Sequence, residues 1–113
     1  SNKISYLYYS DNQLYPNKLK IINFNSNFIT KISDFFVYFP NLAEVHLNNN
    51  LIDENPLQML DNLHTLDISY NKNLIFLNSN FTNLKKLDLI QMPYEFLDKI
   101  DFLKLKNIKH LNL

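Results

Sequence analysis

His46, Asp67 and Asp88 are the residues of this sequence whose types and spacing could support chemistry together. Each is separated from the next by 21 residues. Imidazole and carboxylate groups are ligands for divalent metal ions, and the same groups act as general acids and bases. Either chemistry requires a fold that places residues distant in sequence side by side.

Composition excludes several other kinds of site. The chain has no Cys, which excludes disulfides, thiolate metal sites and a cysteine nucleophile. It has no Gly, which excludes the Gly-rich phosphate loops of P-loop and dinucleotide-binding proteins. His46, His64 and His110 show no metal-ligand spacing. We therefore expect no bound metal ion and no cofactor.

Charge and hydropathy limit the classes of partner that this chain can bind. Eleven basic residues balance eleven acidic ones, so the chain lacks the excess positive charge that nucleic acids or anionic membranes attract. The longest apolar run, Phe35 to Phe39, is far shorter than the ~20 residues of a membrane-spanning helix. We expect no nucleic-acid partner and no membrane insertion.

A repeated template organises the chain. It has apolar residues at its first, fourth, sixth and eleventh positions and Asn at its ninth, as in Leu19 to Ile29. Further copies begin 23, 21, 21 and 24 residues apart, at Leu42, Leu63, Leu84 and Ile108. An initial copy at Ile4 precedes Leu19 by only 15 residues. The pattern predicts a single domain, residues 1–113, of about five to six repeats with the first short and the last truncated.

Each copy should contribute one short strand. Apolar and polar residues alternate around the fourth and sixth positions, which is typical of a strand with one buried face. Strands that recur in one direction form a parallel sheet, and the chain must return along the outside between them. The spacing of Ile32, Phe36 and Phe39, and of Leu57 and Leu60, predicts short helices or 3₁₀ turns in these returns. Large aromatic residues should fill the return side, namely Phe36, Phe39, Phe81, Phe96 and Phe102.

These repeats resemble the leucine-rich-repeat family, and the resemblance covers nearly the whole chain. The stretch from Leu63 to Asn71 is especially close to the family pattern. The chain departs from it at Met92, which stands in the Asn place, at the displaced Leu74, and in lacking Gly and Cys-rich caps. The resemblance implies an α/β fold, a right-handed solenoid with a parallel concave β-sheet and short helical, 3₁₀ or irregular convex segments. It also implies a protein-binding, non-enzymatic role.

Asparagine is expected to build the corners of the coil. A buried amide at the ninth position can bond backbone groups of its own and the neighbouring repeat. We predict a structural asparagine ladder with the members Asn12, Asn27, Asn50 and Asn71. At Met92 the ladder should end or the turn should change shape.

The concave face is the predicted protein-binding surface. Its residues alternate with the buried ones, and the set is Tyr6, Tyr8, Ile21, Asn23, Glu44, His46, Thr65, Asp67, Lys86 and Asp88. Asp67 and Asp88 should stand side by side with His46 next to Asp67. Catalysis is not expected, because Asp is ordinary at this place in the family, Lys86 can neutralise the pair, and an open sheet offers no pocket. An acidic patch for Lys or Arg of a partner fits better. Tyr70 and Ile90 add apolar surface, although an AT-rich genome would also supply Tyr and Ile.

Two cellular settings remain open. The chain is rich in Asn, Lys, Ile, Phe and Tyr, whose codons are rich in A and T, and this composition indicates an AT-rich genome such as a parasite's. The first residues, Ser1 and Asn2, favour a secreted module that binds a host protein. The alternative is an intracellular regulatory subunit similar to the leucine-rich-repeat regulators of protein phosphatases, which the absence of Cys favours. The sequon Asn80-Phe81-Thr82 would matter only in a secretory pathway. Unpaired strand edges near Ile108 to Leu113 offer a route to self-association.

Overall fold

The computed structural model describes residues 18–32, 35–53, 62–75 and 81–113. Several sequence predictions lie outside these residues: the strand near Tyr6 and Tyr8, the ladder residue Asn12, the helix near Leu57 and Leu60, and the sequon residue Asn80.

Five short parallel strands form one sheet in the order of the chain. They are β1 (Ile21–Asn23), β2 (Glu44–His46), β3 (Thr65–Asp67), β4 (Lys86–Asp88) and β5 (His110–Asn112). Helical segments are few in the described ranges: α1 (Tyr94–Lys99) and two 3₁₀ helices, Phe35–Tyr38 and Phe102–Lys104. A parallel sheet with few helices agrees with the predicted α/β class.

The alternation of side chains explains why each repeat forms a strand. The middle residues Ile22, Val45, Leu66 and Leu87 are buried, and the residues on either side of them are half-buried or exposed. Successive side chains of a strand point to opposite faces, so one apolar residue between two polar ones is enough to fix which face is inside. In β5 the middle residue, Leu111, is exposed.

The core is one cluster built from equivalent positions of successive repeats. First-position residues Leu42, Leu63 and Leu84 and sixth-position residues Leu47, Ile68 and Leu89 are fully or almost fully buried. Burial of each such side chain contributes ~1.5–3 kcal/mol relative to exposure. The repeat period thus becomes a continuous stack of apolar side chains behind the sheet.

Aromatic residues fill the return side of this core. Phe36, Phe39, Phe81 and Phe96 are buried, as the sequence predicts. The prediction for Phe102 is wrong, because its side chain is 40% exposed. Phe102 belongs to the 3₁₀ helix before β5, which has no buried residue, so the core does not extend over it.

Asn50 and Asn71 connect neighbouring repeats at the corners after β2 and β3. The Asn71 Nδ2 group donates to the carbonyl oxygens of Leu47 (2.9 Å) and Ile68 (2.8 Å), and its Oδ1 accepts from the Ile52 N–H (3.2 Å). Asn50 bonds the preceding repeat in the same way, through the Phe24 carbonyl and the Ile29 N–H. Both amides are buried.

The first and last corners differ from these two. Asn27 is half-buried and donates to the carbonyl oxygens of Phe24 and Asn25 in its own repeat. Met92 is buried and has no amide, so the ladder ends there as predicted. The turn nevertheless keeps its shape, since the backbone before Met92 has the same left-handed conformation as in the other repeats.

Left-handed backbone recurs at the residue before each of the four described corner positions, Asn27, Asn50, Asn71 and Met92. The φ angles are 59° at Ser26, 56° at Asn49, 59° at Tyr70 and 55° at Gln91. Glycine is the usual occupant of this region because a Cβ atom crowds the backbone there. Since the chain has no Gly, residues with side chains occupy this region at all four positions found in the described ranges, and only Asn49 is of a type that tolerates it well.

We expect Asn71→Ala to lower the free energy of unfolding by about 3 kcal/mol, because the buried Ile52 N–H and the Ile68 carbonyl lose their partner. Urea denaturation monitored by circular dichroism measures this. Asn73→Ala is the matched control, since Asn73 is exposed two residues away, and its effect should stay within about 0.5 kcal/mol. Equal effects of the two changes would contradict the structural role of the Asn71 amide.

We expect Gln91→Gly to raise the free energy of unfolding by about 1 kcal/mol, because the relief of left-handed strain exceeds the entropy that Gly adds to the unfolded chain. The control is Lys72→Gly, at an exposed turn residue without positive φ, which should destabilise. Thermal unfolding separates the two. A loss of stability in Gln91→Gly as large as in Lys72→Gly would contradict the strain.

Candidate functional site

The exposed face of the sheet consists of two rows of side chains that run across all five strands. Strand register defines the first row as Ile21, Glu44, Thr65, Lys86 and His110. It defines the second row as Asn23, His46, Asp67, Asp88 and Asn112. Neighbouring members of a row sit on strands ~4.8 Å apart, within reach of direct contact.

The structure brings together eight of the ten residues predicted for the binding surface. Asp67 and Asp88 are register partners, and so are His46 and Asp67, as the repeat spacing requires. Tyr6 and Tyr8 are outside the described residues.

His46 pairs with Glu44 on its own strand. The His46 Nε2 atom lies 3.2 Å from the Glu44 Oε2 atom, and both side chains are partly exposed. Residues two apart on a strand share a face, which makes this contact local. His46 is thus the register neighbour of Asp67, but its Nε2 atom contacts the carboxylate of Glu44.

Asp67 has a structural task that the sequence analysis did not assign to it. Its Oδ1 accepts from the Ser69 N–H at 3.0 Å, and its Oδ2 accepts from the Asn48 side-chain amide at 2.9 Å. Asn23 holds the same turn in its own repeat by accepting from the Asn25 N–H. Asp and Asn commonly bond the backbone two residues on, and that tendency is the signal by which this role could have been found.

Asp88 and Lys86 are more weakly tied to the scaffold. The Asp88 Oδ1 accepts from the Asn112 side-chain amide. The two ion pairs found within the described ranges are His46–Glu44 and Lys99–Glu95, so Lys86 pairs with neither Asp67 nor Asp88 there. Lys86 lies in the first row, beside Thr65 and His110, and the two carboxylates lie in the second.

A third row stands two residues after each of the strands β1 to β4 and is mainly structural; its members are Asn25, Asn48, Ser69 and Ile90. The Asn25 Oδ1 accepts from the Asn48 N–H at 2.7 Å, and the Ser69 Oγ accepts from the Ile90 N–H at 2.8 Å. The two bonds occupy equivalent places after β1 and β2 and after β3 and β4. They hold the chain in register just beyond the strands.

Large apolar side chains are exposed around the carboxylates. Ile21 is 56% exposed in the first row, and Tyr70, 50% exposed, follows the third row. Ile90 is also exposed, and its carbonyl accepts from the Tyr70 N–H at 2.9 Å, so these two residues are neighbours. The exposed face therefore combines negative charge with apolar surface.

The sequence predicts neither metal binding nor membrane insertion for this chain. In the part of the chain that the structure describes, no three His, Cys, Asp or Glu side chains are grouped to hold a metal ion. Over the same residues, no helix has the length and hydropathy needed to span a bilayer.

A second set of asparagines was missed, although its signal is simple. Asn41, Asn62, Asn83 and Asn107 each stand directly before the first apolar position of a repeat. The Asn62 amide donates to the Pro40 carbonyl at 3.4 Å, and the Asn107 amide donates to the Thr82 carbonyl. Because these bonds join consecutive repeats, they support the sheet at the edge where its strands begin.

Comparison with known proteins gives no assignment. No protein-family model matches the chain, and a search of curated proteins finds no significantly similar sequence.

Proposed function

We propose that this chain is a leucine-rich-repeat solenoid that binds a protein partner through the exposed face of its sheet. Support for the solenoid comes from parallel strands in chain order, from equivalent residues in register, and from Asn50 and Asn71 at equivalent corners. Stacked repeats of this kind present an extended surface that suits protein partners.

The observation that carries the binding proposal is the composition of the exposed face. Ile21, in the first row on β1, and Tyr70, three residues after Asp67, are large side chains left about half exposed. Tyrosine is a common anchor in protein interfaces, and carboxylates select complementary charge. Tyr70 also has a left-handed backbone, where Gly would be less strained, and this supports a binding role for its exposed side chain.

The chemistry of the partner follows from these residues. Asp67 and Asp88 favour a Lys or Arg side chain, and Tyr70 and Ile90 favour an apolar residue beside it. A non-enzymatic role is part of the proposal. Both oxygens of Asp67 accept hydrogen bonds from the scaffold, which favours a structural role over that of a general base for this carboxylate.

We expect an Asp67→Asn, Asp88→Asn double variant to lose affinity for the partner by at least about tenfold, because both negative charges are removed while each amide keeps one oxygen that can accept from the Ser69 N–H or the Asn112 amide. The measurement is quantitative pull-down from self and host extracts, followed by titration of the captured protein. The same pull-down separates the secreted, host-directed setting from the intracellular one.

The matched control is a Asp53→Asn, Asp98→Asn double variant, which removes the same charge from exposed residues outside the face. Capture that is lost only in the Asp67, Asp88 variant supports the proposal. Equal capture by both variants would contradict it and direct attention to the strand edges and self-association.

A further inference from the structure

A second surface feature lies at the edge of the sheet where strands β3, β4 and β5 begin. It is a cleft of about 460 Å³ lined by six polar or charged residues, Lys85, Lys106, Lys109, His64, Asn83 and Asn107. Among the described residues that line it, none is acidic. The cleft therefore concentrates positive charge in a chain whose formal net charge is zero.

The register of the coil creates this concentration. The His64 carbonyl accepts from the Lys85 N–H, and the Lys85 carbonyl accepts from the Lys109 N–H, both at 2.8 Å. These three residues therefore occupy equivalent places in successive repeats, on chain segments ~4.8 Å apart. Lys106 joins them from the turn that leads into β5.

The lysines of the cleft lack partners of opposite charge within the described residues. Lys85, Lys106 and Lys109 are exposed, and the ion pairs found in those ranges involve other residues. Ammonium groups held close together repel one another, so an anion placed between them is stabilised by all of them. A cleft that gathers three such groups is suited to a ligand with more than one negative charge.

We propose that this cleft binds a phosphate group. Phosphate monoesters carry about −1.5 to −2 charge at neutral pH, against −1 for a carboxylate, and so make better use of three lysines. Lysine binds phosphate as a point charge with three N–H donors, and the His64 ring adds a donor. The volume lies within the range of about 300–1,000 Å³ typical of small-molecule sites, so the phosphate can belong to a small organic molecule.

This site is separate from the protein-binding face. Lys85 precedes β4 and lines the cleft, whereas Lys86 begins β4 and belongs to the first row of the exposed face. A phosphate in the cleft leaves Asp67 and Asp88 uncovered. The proposal thus stands or falls independently of the proposed partner binding.

The test is an NMR titration of the ¹⁵N-labelled chain with inorganic phosphate, against sodium chloride at equal ionic strength. We expect saturable shifts of the Lys85, Asn107 and Lys109 amide signals with phosphate only. A Lys85→Gln, Lys109→Gln variant should bind phosphate at least about tenfold more weakly. The control is Lys31→Gln, Lys72→Gln, which removes the same charge from exposed lysines outside the cleft and should bind like wild type.

Equal loss of binding in both variants, shifts that do not saturate, or equal shifts with chloride would overturn the proposal. Circular dichroism of the variants checks that each is folded, and the exposure of these lysines makes unfolding unexpected.

Two further arms identify the source of the phosphate. The first is glycerol 3-phosphate in solution, and the second is phosphatidylcholine vesicles with a minor fraction of phosphatidylinositol phosphate. Saturable binding in solution supports a small phosphorylated metabolite, and binding to the vesicles alone supports a lipid headgroup. A DNA duplex that binds through lysines outside the cleft would overturn a defined phosphate site.

Discussion

Buried backbone at the corners of the coil must be hydrogen-bonded, and the rest of this structure depends on how that is achieved. Where the chain leaves each strand, N–H and carbonyl groups enter the core and lose water, at a cost of about 1–3 kcal/mol for each group left unpaired. The amides of Asn50 and Asn71 meet this demand because each has donors for its own repeat and an acceptor for the preceding one. The left-handed residue before each of them turns the chain so that the amide faces inward.

Once the corner hydrogen bonds fix the position of each repeat relative to the next, the strands pair in fixed register and equivalent side chains form rows. The second row gathers Asp67 and Asp88 on the exposed face, and the edge where the strands begin gathers Lys85 and Lys109. Opposite charges are thereby separated onto two parts of the surface, although the chain as a whole is neutral. Both proposed sites are consequences of one register, and neither needs a pocket built by long loops.

Much of the fold can be predicted from the sequence because the repeated pattern of apolar residues determines where the strands lie. The alternation around Ile22, Val45, Leu66 and Leu87 places each strand, and the equivalent template positions of successive repeats place the rows in register. The finer features could not be predicted in this way. Whether His46 turns to Glu44 or Asp67 depends on side-chain conformation, and the exposure of Phe102 depends on how far the core extends. The lysines of the cleft were missed because they fall between the template positions, where a period of apolar residues carries no information.

The central claim is that the corner amides tie one repeat to the next, and native-state hydrogen exchange tests it most directly. The Ile29 and Ile52 N–H groups each donate to the side chain of an asparagine in the following repeat, Asn50 and Asn71. The account predicts that both amides exchange only through global unfolding, at the rate of the core-strand amides. Exchange of Ile29 and Ile52 as fast as that of exposed turn amides such as Asn73 would contradict it.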